Sequence, residues 1–292
     1  MAHTATHARH DAVAITSLLL GATTWGVIWY PFRQLETAGV HSTLATLATY
    51  VVAVAVGAIV FRGAVAELLA RARPMLPIAL SAGLANVGFL IAVTGTEVVR
   101  VVLLFYLAPL WTVPLAWVLL KEHLTRVGYL VVVLAMTGAV VMLWRPELGM
   151  PMPKNAYEWI GMAAGFFFAC NNVLVRRAAG VSPPAKGLSA CIGVLLVALP
   201  AALMLGGPSA RWLPLALANA WLVATIGIAL LATTVAMQFG LTRVPANRAA
   251  VILLAELIVA AIASHLLADE VVRLTDWIGG AFIVAAGVLA TL

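Results

Sequence analysis

The stretch NVGFLIAVTGTEVVRVVLLFYLAPLWTVPLAWVLLKE, Asn86 to Glu122, returns later in the chain as TVAMQFGLTRVPANRAAVILLAELIVAAIASHLLADE, Thr234 to Glu270. A shift of 148 positions (270 minus 122) superposes the two without a gap, laying Thr94 on Thr242, Arg100 on Arg248 and Glu122 on Glu270. Identities are few, but apolar runs and polar punctuation agree along the whole stretch. Weak internal symmetry of this kind marks a chain assembled from two related halves.

The rest of the composition says what solvent those halves live in. Of 292 residues, 64% are hydrophobic and 10% charged, with a mean hydropathy of +1.07. That is too little polar surface to cover a soluble globule of this size, so the chain belongs in a bilayer. The opening MAHTATHARHDA is polar, and no small-residue cleavage site follows the first apolar segment, which therefore reads as an uncleaved membrane helix. A net charge of +6 and a pI near 9.8 would point to nucleic acid in a soluble protein. Here Lys and Arg sit in short loops between apolar runs, so their expected partner is the anionic cytoplasmic leaflet of the lipid bilayer, and no nucleic acid is expected. Cys170 and Cys191 lie inside apolar segments without metal-site spacing and read as small buried hydrophobes. No metal or other cofactor is expected.

A spanning helix needs about 20 mainly apolar residues. Turn and charge signals divide the chain into ten such segments, near 13–33, 42–62, 74–94, 98–120, 125–144, 157–177, 185–206, 212–234, 246–268 and 274–291. The proline-rich connection RPELGMPMPKNAYE (Arg145 to Glu158) separates the first five from the last five. The expected domains are a five-helix repeat at 13–144, a linker at 145–156 and a second repeat at 157–292. With the N-terminus inside, eleven Lys and Arg residues fall on the cytoplasmic side and six outside, which favours both termini in the cytoplasm. An odd number of helices per half then inserts the second half from the opposite face. The fold class is an all-α membrane protein of ten transmembrane helices in two inverted five-helix repeats. Many secondary transporters use this plan, because two related halves can exchange conformations and open a midplane site alternately to each side.

Polar residues in mid-span are the candidates for that site. Glu256 falls near the middle of the ninth segment, where a charge costs roughly 2.5–3.5 kcal/mol. It could bind an ammonium, exchange a proton during transport, or serve as a protonated packing group. Asn86 in the third segment, with Phe89 beside it, and Gln238 in the eighth offer both a donor and an acceptor without a full buried charge. Asn171 and Asn172 in the sixth point to adjacent faces, so at most one is expected to look into a cavity. Trp25 and Trp29 share a face of the first segment, and Tyr106 and Trp111 flank Pro109 in the fourth. These rings could stack on an aromatic substrate or pack helices together. Trp144, Trp159, Trp212 and Trp277 read as interfacial anchors. Pro109 and Pro114 break backbone hydrogen bonds in mid-membrane and are hinge candidates. His265, one turn before Asp269, reads as an interfacial residue or a pH sensor. Glu122 and Glu270, at helix ends on opposite faces, are expected to set loop geometry and to pair with nearby basic residues.

WGVIWYPFRQL in the first segment, YLAPLWTVPLAWVLLKE in the fourth, NNVLVRR in the sixth and AVILLAELIVAAIASHLLADE in the ninth resemble the drug/metabolite transporter superfamily. The resemblance is to its ten-helix, two-domain branch (EamA-like), and within that to the bacterial aromatic amino-acid exporters. It implies a central cavity between the third, fourth, eighth and ninth helices with help from the first and sixth. It also implies export of amphiphilic metabolites across the inner membrane. Leu257 departs from the pattern, standing where many relatives have proline after the glutamate, which puts a second helix kink in doubt.

The expected function is secondary export of aromatic or hydrophobic amino acids, or related metabolites, by alternating access across the bacterial inner membrane. The alternative is efflux of drugs or organic cations. The expected substrate-binding residues are Trp25, Trp29, Asn86, Phe89, Tyr106, Trp111, Asn171, Gln238 and Glu256. No GK[ST] phosphate cradle is present, which disfavours direct ATP drive, and no HExxH motif or paired mid-membrane carboxylate points to an enzyme. A ten-helix bundle holding both repeats can work as a monomer.

Overall fold

The computed structural model describes residues 2–148, 152–205, 212–268 and 271–290. Among them no strand occurs and fourteen α-helices follow one another: α1 (Ala2–Thr37), α2 (Ser42–Val60), α3 (Arg62–Ala70), α4 (Ala72–Gly95), α5 (Val98–Phe105), α6 (Ala108–Leu120), α7 (Arg126–Leu143), α8 (Ala156–Arg177), α9 (Pro183–Leu205), α10 (Trp212–Ala218), α11 (Ala220–Arg243), α12 (Ala246–Leu253), α13 (Ala255–Ala268) and α14 (Leu274–Leu289). The pairs α5–α6 and α12–α13 each act as one span, so nine described helices are long and apolar enough to cross a membrane and α14 supplies a shorter apolar tenth. Large apolar side chains face outward around the bundle, among them Leu76 (55% exposed), Val118 (64%) and Val133 (61%). Such a belt is stable only against lipid. Trp144, Trp159 and Trp277 are exposed near helix ends, as anchors are; the side chain of Trp212, and Asp269 and Glu270 entirely, lie outside the described residues.

The repeat is visible in the helix boundaries themselves. Adding 148 to α4 (72, 95) gives 220 and 243, the limits of α11, and adding it to α5 (98, 105) gives 246 and 253, the limits of α12. Packing follows the same twofold. The third span of each half lies on the first two of the other: α4 packs against α8 and α9, and α11 against α1 and α2. At the core of the α4–α9 crossing, a side chain on Gly193 would run into the Ala79 carbonyl, and one on Gly83 into the Gly193 carbonyl. Glycine lets the two backbones touch. Gly193→Ala is therefore expected to lower the melting temperature of the detergent-solubilised protein, since overpacking costs about 1–3 kcal/mol. An unchanged melting temperature would mean that the helices are free to part.

Three sequence expectations change. The eighth span runs over 220–243 instead of 212–234, because Asn219 ends the short helix α10, its amide donating to the Leu215 carbonyl at 3.0 Å, and a new helix starts beyond it. α1 continues N-terminally to Ala2. The third concerns Leu257. The second kink forms without a proline: Leu254 closes α12 with a bond from its N–H to the Val251 carbonyl (3.1 Å), and Leu257 N–H reaches back to Leu254 (3.0 Å).

In the first half the matching break falls at Tyr106 and Leu107, just before Pro109, which sits in the first turn of α6 where its missing N–H is not needed. Its ring is incompatible with a helical carbonyl at Phe105, and that freed carbonyl lies against Gly165 of α8, leaving no room for a side chain there. Pro109 is thus buried at a helix start, while Pro114 lies inside α6 and is exposed. α6 ends at Lys121 in the left-handed conformation (φ 57°).

On the face that bears the α2–α4 and α8–α9 loops, Glu67 of α3 accepts from the Ser182 hydroxyl (2.5 Å) and backbone amide (3.2 Å). The Ser182 hydroxyl holds the Glu67 carboxyl below the usual carboxylate range, against the opposing effect of burial. A depressed folded-state pKa stabilises above the unfolded value, and that stability is lost as pH falls through the folded value. Ser182→Ala should therefore narrow the difference in melting temperature between pH 7 and acid pH. An equal difference in both proteins would remove Glu67 from the acid response.

Candidate functional site

A cavity of about 70 Å³ lies between α1, α2, α4, α8, α9 and α11, at the interlaced centre of the two halves. Trp25, Tyr50, Asn86, Phe168, Asn171, Asn172, Cys191, Thr234 and Gln238 are among its lining residues. Among the described residues no charged side chain lines it. The volume holds about five waters at ~10–15 Å³ each, well below the ~300–1,000 Å³ of sites for drug-sized ligands. Loading a larger molecule therefore requires the lining helices to part.

Four amides border the cavity, and their hydrogen bonds separate them into two kinds. Asn171 donates to the Ile78 carbonyl (3.0 Å) and the Ser81 hydroxyl (3.2 Å), tying α8 to α4. Asn86 accepts from the Tyr50 hydroxyl at 3.3 Å. Asn172 is 1% exposed and neither its amide nitrogen nor its oxygen finds a protein partner; Gln238 is 3% exposed and its Oε1 has none either. A buried polar group left unpaired costs about 1–3 kcal/mol. Unmet groups clustered on one cavity wall mark a place where something else completes them.

The cavity thus unites Trp25, Asn86, Asn171 and Gln238 from the expected set. Asn171 spends its amide on helix packing, and its neighbour Asn172 carries the unmet groups. Trp29 lies outside the cavity, its ring against Tyr30 (5.8 Å between centroids). Phe89 stands one shell back: its ring meets Phe105 (5.0 Å), and Phe105 meets the cavity-lining Phe168 (5.3 Å). Tyr106 also packs on Phe105 (5.5 Å) and lies near Glu256. Trp111 packs on Phe166 (5.7 Å) with its indole nitrogen buried and unpaired. Tyr106, Trp111 and Glu256 are not among the residues that line the cavity. The second and seventh spans take their place through Tyr50, Ala190, Cys191 and Val194. A lone tyrosine in the otherwise apolar, small-residue second span was the signal that could have found Tyr50.

Glu256 is half-buried in the first turn of α13, directly after the second break, while Tyr106 sits in the first break. The two residues mark the corresponding breaks of the two repeats. The cavity is also framed by polar ties at both ends of the bundle. At one end Arg100 donates from Nε to Glu158 Oε1 (2.7 Å) and from a terminal nitrogen to Oε2 (2.8 Å), both side chains being almost fully buried. At the other, Glu122 accepts from Arg176 Nε (3.0 Å) and from the backbone N–H of Ala246 (3.0 Å). Arg176 reaches the Thr242 carbonyl (2.7 Å), and the fully buried Lys186 donates to the Thr242 hydroxyl (2.8 Å) and the Val175 carbonyl (3.0 Å). Cys170 and Cys191 are free, and no metal-ligating cluster occurs among the described residues. His265 is exposed.

Comparison with known proteins agrees with this architecture. An uncharacterized transporter of Archaeoglobus fulgidus is 27% identical over 222 residues, which cover 75% of this chain and 76% of that protein. A crystal structure 20% identical in sequence superposes with a TM-score of 0.70, covering 97% of this chain and 98% of the other, and shares the fold. The EamA-like transporter family matches at 12–144 and again at 156–292, once on each half. With two matched repeats, interlaced spans and an outward apolar belt, the chain belongs to the EamA-like transporter family.

Proposed function

We propose that the protein exports aromatic or other hydrophobic amino acids across a bacterial inner membrane, as a monomeric secondary transporter working by alternating access with both termini in the cytoplasm. The observation that carries this reading is the set of unmet groups on the cavity wall. Asn172 needs one acceptor and one donor, and Gln238 Oε1 needs a second donor. An α-amino acid supplies all three: its ammonium donates to the two amide oxygens and its carboxylate accepts from the Asn172 nitrogen. Trp25 and Phe168 offer ring faces to an aromatic side chain, and Trp25 can also face the ammonium. A bare organic cation supplies donors only and leaves the Asn172 nitrogen orphaned.

Glu256 and Tyr106 take a different part in this scheme from the one their sequence position implies. They lie outside the cavity lining, near one another at the two breaks that must flex when the halves exchange conformations. Pro109 and Pro114 belong to the same moving span.

Proteoliposomes holding only this protein and loaded with labelled phenylalanine, tryptophan, threonine or a lipophilic cation, with and without a pH gradient, test the reading. Phenylalanine and tryptophan should leave fastest. Selective movement of the cation would replace amino-acid export by cation efflux, and no movement of any solute would leave a scaffold.

A further inference from the structure

Arg100 and Arg248 occupy one position in the two repeats, each on the first turn of a half-helix. The helices beneath them correspond as well: α5 packs on α8, and α12 packs on α1. Arg100 spends its guanidinium on a carboxylate, with Nε bound to Glu158 Oε1 at 2.7 Å. In Arg248 the same atom, Nε, is buried and has no partner. α1 has no Asp or Glu between Ala12 and Leu35 to receive it. The carboxylate on that face, Glu122, is committed to Arg176 and to the Ala246 N–H. Beside Arg248, Asn247 is 8% exposed and its Oδ1 is also buried without a partner. A guanidinium nitrogen without a partner thus follows in sequence an amide oxygen without a donor.

We propose that Asn247 and Arg248 form an entry site for α-amino acids at the cytoplasmic start of α12, separate from the central cavity, with Arg248 taking the carboxylate and Asn247 Oδ1 the ammonium. The site's orientation and its ligand class rest on the export reading above. In the other half Glu158 fills the equivalent place with a side chain of the protein itself. Arg248 leaves it to the cargo, so a substrate is bound by its charged end before the helices part to admit it to the neutral cavity.

Calorimetric titration of the purified protein in phosphatidylcholine nanodiscs tests the site without requiring transport, using phenylacetate, L-phenylalanine and phenethylamine. Phenylacetate should bind the wild-type protein. Arg248→Ala should weaken phenylacetate and phenylalanine about tenfold or more, the scale of a lost charge-assisted bond, and leave phenethylamine unchanged. Arg248→Lys should recover part of the loss, and also serves if the alanine protein fails to fold. Asn247→Leu should weaken phenylalanine several-fold and spare phenylacetate, a difference that a merely structural role would not produce. Failure of the wild type to bind phenylacetate, or equal binding by Arg248→Ala, overturns the proposal. So does loss of binding in phosphatidylglycerol discs, which would give the guanidinium to lipid phosphate. Asp11→Asn, the exposed acid at the start of the α1 span, should behave as wild type. If it instead reproduced Arg248→Ala, the arginine would belong to an internal latch. A protein that binds phenylacetate through Arg248 but moves no phenylalanine would sink the export reading and leave the site standing.

Discussion

Asn172→Leu is expected to abolish phenylalanine export and, at the same time, to make the protein more stable. The two unpaired amide atoms of a residue 1% exposed carry a desolvation cost of about 1–3 kcal/mol each, and leucine of similar volume removes both groups without opening a void. The melting temperature should therefore rise by several degrees, while flux in proteoliposomes falls about a hundredfold, to background. Asn171→Leu should do the opposite on stability, because its amide donates to Ile78 and Ser81 and so ties α8 to α4. Two adjacent asparagines would thus separate a binding role from a packing role. Wild-type flux through Asn172→Leu would mean that the cavity wall does not touch the cargo.

Arg100→Ala should cost about 3–5 kcal/mol, as removing one partner of a buried ion pair does. Both members are almost fully buried, side-chain exposure being 7% for Arg100 and 3% for Glu158. The alanine variant leaves the Glu158 carboxylate with the Lys154 N–H (2.9 Å) and the Asn155 amide (3.2 Å) as remaining donors, but without the guanidinium that binds both of its oxygens. Arg100→Met together with Glu158→Leu should be far milder than either single change, because no charge is then stranded. Unfolding of the detergent-solubilised protein followed by circular dichroism gives the three values. A double variant as damaged as the singles would show that shape, and not charge, holds this end of the bundle.

What could be read from the sequence, and what could not, divides along physical lines. The repeat was legible because the 148-residue shift preserves apolar runs and their punctuation, and the same shift reproduces the limits of α11 and α12 from those of α4 and α5. The break at Leu254 was not legible, since no proline announces it; it is imposed by the packing of the ninth span. Asn86, Gln238 and Trp25 could be picked out because a polar or amphipathic side chain in mid-span has few other uses. Choosing between Asn171 and Asn172 was beyond the sequence. They differ by about 100° around one helix, and the rotation of α8 is fixed by its contacts with α4. Tyr106 and Glu256 were expected at the cavity, and neither is among its lining residues.

The crossing of the third spans has a consequence for how the protein is made. α4 packs mainly against α8 and α9, and 110 residues separate the end of α4 from the end of α9 (205 minus 95). At a synthesis rate of roughly 5–20 residues per second, the flank of α4 that carries Ser81 and Asn86 waits about 6–22 s in the membrane for its cover. During that interval the ribosome is still delivering the other half, so the first five helices have to be held by the insertion machinery, or by lipid, as an unfinished protein.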